Sequence, residues 1–250
     1  MEIPKQRTKM QKTDNTRPVY VLVHGAWHGG WCWKKVKPLL EAKGRTVFTP
    51  TLTGLGERSH LLTRQVNLTT HIDDIVLMLE YEGLTDVILV GHSYAGMVIS
   101  GVAERVASRI SHLVYFDAYL PEHNKSINDY LKVPALKELV ETKGEGWKMP
   151  FPGKIESLGV TSQEDIEWAT DRIGDQPYST FTESIKLTRS SNTISKTFVR
   201  LSEFPWFVAA AERALQQGFS YHEMLSGGHD AMISKPEETA EILSQIGAKN

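Results

Sequence analysis

Short runs of apolar, β-branched residues alternate along the chain with stretches in which apolar positions recur at helical spacing. The first run, Val19-Tyr20-Val21-Leu22-Val23, has no polar position, which is the pattern of a strand buried on both faces. Apolar residues at Trp33, Val36, Leu39 and Leu40 predict a helix, ended by Gly44. Thr46–Thr49 reads as a second strand broken by Pro50. Thr51–Arg64, rich in Gly, Ser and Thr, reads as a loop. Thr70 with Asp73 three residues on predicts a helix start for Ile72–Tyr81, with Gly83 as the stop. Val87–Val90 is a third strand, followed after a tight turn by a small-residue helix from Ala95 to about Ala107. His112–Phe116, Lys196–Leu201 and Tyr221–Leu225 are three further strands. The last helix opens at Ser234-Lys235-Pro236-Glu237 and closes at Gly247. Strands alternating with helices predict an α/β fold with a mostly parallel sheet of about six strands, covered by helices on both faces.

Residues 121–190 break that rhythm. Two helical stretches are predicted, near Ile127–Val140 and from a Thr161…Glu164 capping box to Ile173. No strand is needed. Tyr130, Trp147, Phe151, Trp168, Tyr178 and Phe181 fall in this segment. It reads as a helical cap inserted into a core made of residues 18–120 and 191–250, lying over the sheet edge where ligands bind in open α/β folds. Residues 1–17 are polar and basic without an apolar core. They read as a flexible arm rather than a signal peptide or a membrane span.

The net charge is −2, so no basic field favours nucleic acid or an anionic membrane. Cys32 is the only cysteine, which excludes an intrachain disulfide and a cysteine-based zinc site. No metal site is read, and a cytoplasmic location is expected. Nothing in the sequence sets an oligomeric state.

The chemistry is concentrated in Gly91-His92-Ser93-Tyr94-Ala95-Gly96, directly after the third strand. A serine on a strand-to-helix turn is lifted clear of the sheet, a nucleophile elbow. Ala95 stands where the usual pattern has its second Gly, and Gly96 follows. A serine hydroxyl needs a base, and the base needs an orienting carboxylate. His229, in Ser226-Gly227-Gly228-His229-Asp230 after the last strand, has the chain position expected of that base. His24 and His28 flank a Gly-rich turn and read as structural or pocket-lining. His92 is expected to matter through its backbone more than its ring. Two carboxylates compete for the orienting role: Asp117, at the end of the strand after the elbow, and Glu203, after the fifth strand. Two backbone N–H groups should hold the developing oxyanion, each worth on the order of 10²–10³ in rate. Tyr94, after the nucleophile, and Ala26, in the loop after the first strand, are the candidates. Trp27, Trp147, Phe151 and Phe181 are the candidate substrate-binding residues, and Phe204 and Trp206 are further candidates for the pocket border.

Together these residues resemble the α/β-hydrolase superfamily over about Val19 to Ile246. His24-Gly25-Ala26-Trp27-His28-Gly29-Gly30-Trp31-Cys32-Trp33 is similar to the plant methylesterase and hydroxynitrile lyase group. Thr49–His60 and Gly228-His229-Asp230-Ala231-Met232 resemble bacterial carboxylesterases of that group, including pyrethroid-hydrolase-like enzymes. The resemblance implies a serine carboxylesterase with a helical cap and no cofactor, and the aromatic residues of the cap suggest a small to medium apolar or aromatic ester as its partner. Plant members carry an Asp after the fifth strand, where Phe204 stands here. Related dehalogenases place their acid after the strand that follows the elbow, as in Phe116-Asp117-Ala118, which favours Asp117. The lyases place a Lys right after the catalytic His; here it is Asp230, whose charge would disfavour cyanide. A lyase and a slow-turnover ligand receptor are the alternative readings on the same scaffold.

Overall fold

The computed structural model describes residues 18–131, 134–188 and 193–246. The expected N-terminal arm and the helix stop at Gly247 lie outside the described residues. The strands are β1 (Val19–Val23), β2 (Thr46–Phe48), β3 (Val87–His92), β4 (Ile110–Phe116), β5 (Lys148–Met149), β6 (Gln176–Pro177), β7 (Ser195–Leu201) and β8 (Ser220–Met224). The helices are α1 (Val36–Ala42), α2 (Leu68–Tyr81), α3 (Ala95–Val106), α4 (Ile127–Leu131), α5 (Pro134–Lys143), α6 (Gln163–Thr170), α7 (Ser179–Thr182), α8 (Val208–Gln216), α9 (Ala231–Ser234) and α10 (Pro236–Ile246).

Six strands form one parallel sheet in the order β2-β1-β3-β4-β7-β8, as the sequence predicts. Alternation along each strand divides the core into two layers. Val21, Val23, Leu89 and Phe198 pack with α2, α3 and α8 on one face. Tyr20, Leu22, Val90 and Val199 pack with α1 and α10 on the other. Strand order reverses at β1 and β3, and ligands bind beyond the carboxyl ends of strands at such a switch point. His92 lies in register with Phe116, and Phe116 with Val199. The residues that follow β3, β4 and β7 therefore emerge side by side on one edge.

Several local expectations are corrected. The first helical stretch is a 3-10 turn, Gly30–Trp33, followed by α1. The loop after β2 contains a 3-10 turn, Gly56–Leu61. The start of α2 lies earlier than Thr70: Asn67 Oδ1 accepts from Thr70 N–H at 2.9 Å, and Thr70 Oγ1 accepts from Asn67 N–H. Thr70 is the reciprocal partner in that box, and Asp73 pairs with Arg105 of α3. Thr161 does not cap α6; Ser162 precedes it and makes no side-chain cap. The segment after β4 does hold a strand pair, β5 against antiparallel β6. Its Lys-Met and Gln-Pro dipeptides are too short to show alternation and lack β-branched residues.

Candidate active site

Ser93 follows β3 with φ +54°, in the left-handed region. Backbone strain of this kind in a non-glycine residue persists only where the surroundings hold it. Ser93 N–H donates to Phe116 C=O across the sheet, and Gly96 and Tyr119 N–H both donate to Ser93 C=O. A Cβ at Gly96 would come 1.9 Å from Tyr119 O, so the need for glycine falls here while Ala95 fits its own place. The loop after β1 lies directly against the elbow: a Cβ at Gly25 would be 3.0 Å from Ser93 Cβ.

Asp117 continues β4 with φ +44° and is wholly buried. Its N–H donates to Val199 C=O at 2.7 Å and its Oδ1 accepts from Leu201 N–H at 3.3 Å, so β7 holds both ends of the residue. His229 Nδ1 donates to Asp117 Oδ2 at 2.7 Å. With that proton on the carboxylate side, the lone pair belongs to Nε2. Phe204 stacks on the His229 ring at 4.3 Å between centroids, Phe207 stacks on it at 5.4 Å, and the His92 ring lies 4.4 Å away. This burial lowers the His229 pKa to about 4. Burial pushes the Asp117 carboxyl up, against the pull of the Leu201 N–H and of Arg200.

Glu203 serves a different purpose. Its Oε2 accepts from Gly227 N–H at 2.9 Å and Gly228 N–H at 3.1 Å, fixing the turn that delivers His229. Both glycines have left-handed φ, +101° and +61°, and a Cβ at Gly228 would meet Gly159 Cα at 2.5 Å. The alternative acid is thus the anchor of the His229 turn rather than the partner of its Nδ1.

A cavity of about 810 Å³ opens over this edge. Ser93, His229, Ala26 and Tyr94 line it together with Trp27, Phe151, Phe181, Phe204 and Trp206. Tyr94 is the residue just before α3, and N–H groups at the start of a helix have no intrahelical acceptor. The wall is mainly apolar, with Leu131, Leu136 and Leu139 contributed by α4 and α5.

A family model described as the alpha/beta hydrolase family matches residues 20–242. The chain belongs to the alpha/beta hydrolase family. A carbendazim hydrolyzing esterase from Nocardioides sp. (strain SG-4G) is 36% identical over 245 residues, covering 91% of this chain and 99% of the relative. An extracellular alpha/beta-hydrolase from a Paenibacillus species superposes with a TM-score of 0.83 at 24% identity, over 93% of this chain and 100% of that one. A pyrethroid hydrolase superposes with a TM-score of 0.74 at 21% identity, over 92% and 98%. At those identities the two structures speak for the fold.

The hydrolase departs from the sequence reading at three side chains. Trp147 does not line the cavity. Its ring lies beside Arg64 and Lys148, 5.4 and 5.1 Å from its centroid, where an aromatic face attracts cations. The His92 ring matters as well as its backbone: Nε2 donates to His229 C=O at 3.0 Å, tying the elbow to the His229 loop. Asp230 is fully buried and does not face the cavity, so its charge is not presented to a ligand. Its Oδ2 accepts from His28 Nε2 at 3.0 Å, and His28 Nδ1 donates to Ala26 C=O at 2.7 Å. Sequence reasoning missed this second pair because 202 residues separate its members and neither stands in a motif that requires the other.

Proposed function

We propose that this hydrolase cleaves carboxylic esters through an acyl-enzyme on Ser93. The observation that carries the proposal is the 2.7 Å contact between His229 and buried Asp117, beside a serine on a left-handed elbow in one apolar cavity. His229 takes the Ser93 proton at Nε2 as Oγ attacks the ester carbonyl. Asp117 keeps the imidazole in the tautomer this requires and stabilises the imidazolium that forms. The N–H groups of Ala26 and Tyr94 stabilise the tetrahedral oxyanion. His229 then returns the proton to the leaving alcohol. A water molecule, deprotonated by the same nitrogen, releases the acid and restores Ser93. Burial of His229 favours the neutral base at ordinary pH.

Residues 121–190 act as the cap of this site. Trp27, Phe151 and Phe181 form an aromatic wall, with ring centroids 5.5 and 5.8 Å from Trp27. That wall selects small to medium apolar or aromatic esters. The named compound of the Nocardioides relative, carbendazim, is the first specific substrate to try. The test compares hydrolysis of p-nitrophenyl acetate, p-nitrophenyl butyrate and carbendazim by the wild type and Ser93→Ala. The mutant should lose at least about a thousandfold, in line with the loss when a serine nucleophile is removed. Activity surviving the substitution would rule the mechanism out. Wild-type turnover far below about 1 s⁻¹ on every ester would favour a receptor.

A further inference from the structure

The loop after β1 carries a peptide whose orientation is held from two sides. Ala26 C=O accepts from His28 Nδ1 at 2.7 Å. The N–H of the same peptide, on Trp27, donates to Gln176 Oε1 at 3.0 Å. Trp27 itself has φ +63°, a conformation that a bulky residue adopts only under constraint. Each clamp is supported in turn. His28 Nε2 is bonded to Asp230, and Gln176 Nε2 donates to Thr180 Oγ1 at 2.7 Å. His28, Asp230, Gln176 and Thr180 are all buried.

We propose that His28, oriented by Asp230, and Gln176 are positioning residues that lock the Ala26–Trp27 peptide, so that the adjoining Ala26 N–H stays aimed at the reacting oxygen above Ser93. The inference rests on the oxyanion role given to Ala26 above. Trp27 is also held by its Nε1–H, which donates to Met149 C=O at 2.8 Å, and by its C=O, which accepts from Gly174 N–H at 3.1 Å, but among the described residues only the His28 and Gln176 bonds fix the plane of the Ala26–Trp27 peptide itself. Rotation of the Ala26–Trp27 peptide changes ψ of Ala26 and φ of Trp27, and the shift of Ala26 Cα that accompanies it would displace the adjoining Gly25–Ala26 peptide, which carries the Ala26 N–H. Both ring nitrogens of His28 face acceptors, so both bonds are kept only by the imidazolium. Burial lowers the His28 pKa, but the Asp230 carboxylate prevails and raises it. Asp230 thus favours the charged form of a ring that would otherwise surrender one of its two bonds. Gln176, in β6, makes the same peptide sensitive to how the 121–190 segment is seated.

The experiment compares His28→Ala, Gln176→Ala and Gln176→Glu on p-nitrophenyl acetate. A fluorophosphonate probe titrates reactive Ser93, and circular dichroism follows folding. Gln176→Ala tests the clamp on the cap side should His28→Ala not fold. Gln176→Glu keeps an oxygen that can accept from Trp27 N–H. The alanine variants should each lose about tenfold or more in kcat, a share of the 10²–10³ that an oxyanion donor supplies. KM should stay within about threefold, because the contact strengthens in the transition state. Gln176→Glu should recover most of the lost kcat. Affinity for a trifluoromethyl ketone, which forms a tetrahedral oxyanion on serine, should fall in step with kcat, while affinity for the matching methyl ketone holds. A purely structural role would lower folded protein and probe-reactive Ser93 without that split. Folded alanine variants with kcat within about twofold of the wild type would overturn the inference. So would losses confined to KM. If Ser93→Ala remains active, the parent mechanism fails instead, and the two failures are distinguishable.

Discussion

Asp117–His229 and Asp230–His28 are two buried imidazole–carboxylate pairs, with N–O distances of 2.7 and 3.0 Å, and they draw on adjacent residues of one loop. Their remaining contacts differ. The His229 ring has Nδ1 on Asp117, forms part of the cavity wall and is packed against Phe204. The His28 ring is bonded at both nitrogens, by Asp230 and by Ala26 C=O. Burial dominates the first ring and lowers its pKa to about 4, whereas Asp230 raises the second. A histidine beside an aspartate is therefore no signature of proton transfer by itself. It can exchange a proton where its second nitrogen meets a substrate, and it is a clamp where that nitrogen meets a carbonyl.

The largest expected contrast lies between the two carboxylates. Asp117→Asn should lower kcat by a thousandfold or more, near the loss of about 10⁴ when a serine-protease triad Asp becomes Asn. Asp230→Asn should lose less than about tenfold, because an Asn amide can donate to neutral His28 and leave Nδ1–H on Ala26 C=O. Steady-state kinetics on one ester measures both, and equal losses would erase the distinction drawn between the pairs.

Acid should act on the two histidines in opposite ways. His229 is lowered to about 4, as is His71, and His24 to about 3. These rings are neutral in the folded protein and bind protons on unfolding. Their contribution is complete above the unfolded value near 6.5 and is lost as pH falls toward the folded values, by up to roughly 1.4 kcal/mol per pH unit for each. His28, raised, contributes below 6.5 and loses that contribution as pH rises through its folded value. Thermal melts should show Tm falling below pH 6.5. Initial rates after pH jumps should show kcat/KM level down to about pH 5, since His229 stays neutral there. A rate limb centred at 6.5 would mean that burial does not control His229.

Glu203→Gln should cost less than about tenfold in kcat, since its part is to hold two backbone N–H groups rather than the imidazole. A loss equal to that of Asp117→Asn would return Glu203 to the relay. The smallest effect is expected at Trp147, outside the cavity: Trp147→Ala should leave KM within about twofold, while Phe151→Ala and Phe181→Ala, which remove parts of the cavity wall, should raise it. A comparison of KM across aromatic and aliphatic esters checks all three.

Much of the fold is legible in the chain because its central strands, β1 and β3 above all, are short and buried on both faces, a pattern that survives without knowledge of neighbours. The capping details are less so. Thr70 reads as a cap in isolation, yet Asn67 is the residue whose geometry frees an acceptor for it. The β5–β6 pair has no periodicity to read, since two residues cannot alternate. Within the site, Ser93 and His229 stand out because each sits in a turn whose glycines announce close backbone approach. Gln176 carries no such signal, and its bond to Trp27 depends on where a distant segment comes to rest.

The sequence by itself determined the sheet, the elbow and the chain order of serine and histidine, because these follow from local patterns and from spacing along the chain. Which of Asp117 and Glu203 meets the His229 ring was decided only by the tertiary structure. Both carboxylates lie on the same sheet edge, and Asp117 reaches the imidazole only because β4 and β7 hold it there, while Glu203 is spent on the Gly227–Gly228 turn. The partner of Asp230 was decided in the same way. Next to His229 in sequence, Asp230 turns inward to His28, since a buried carboxylate must find a partner and that is where one lies.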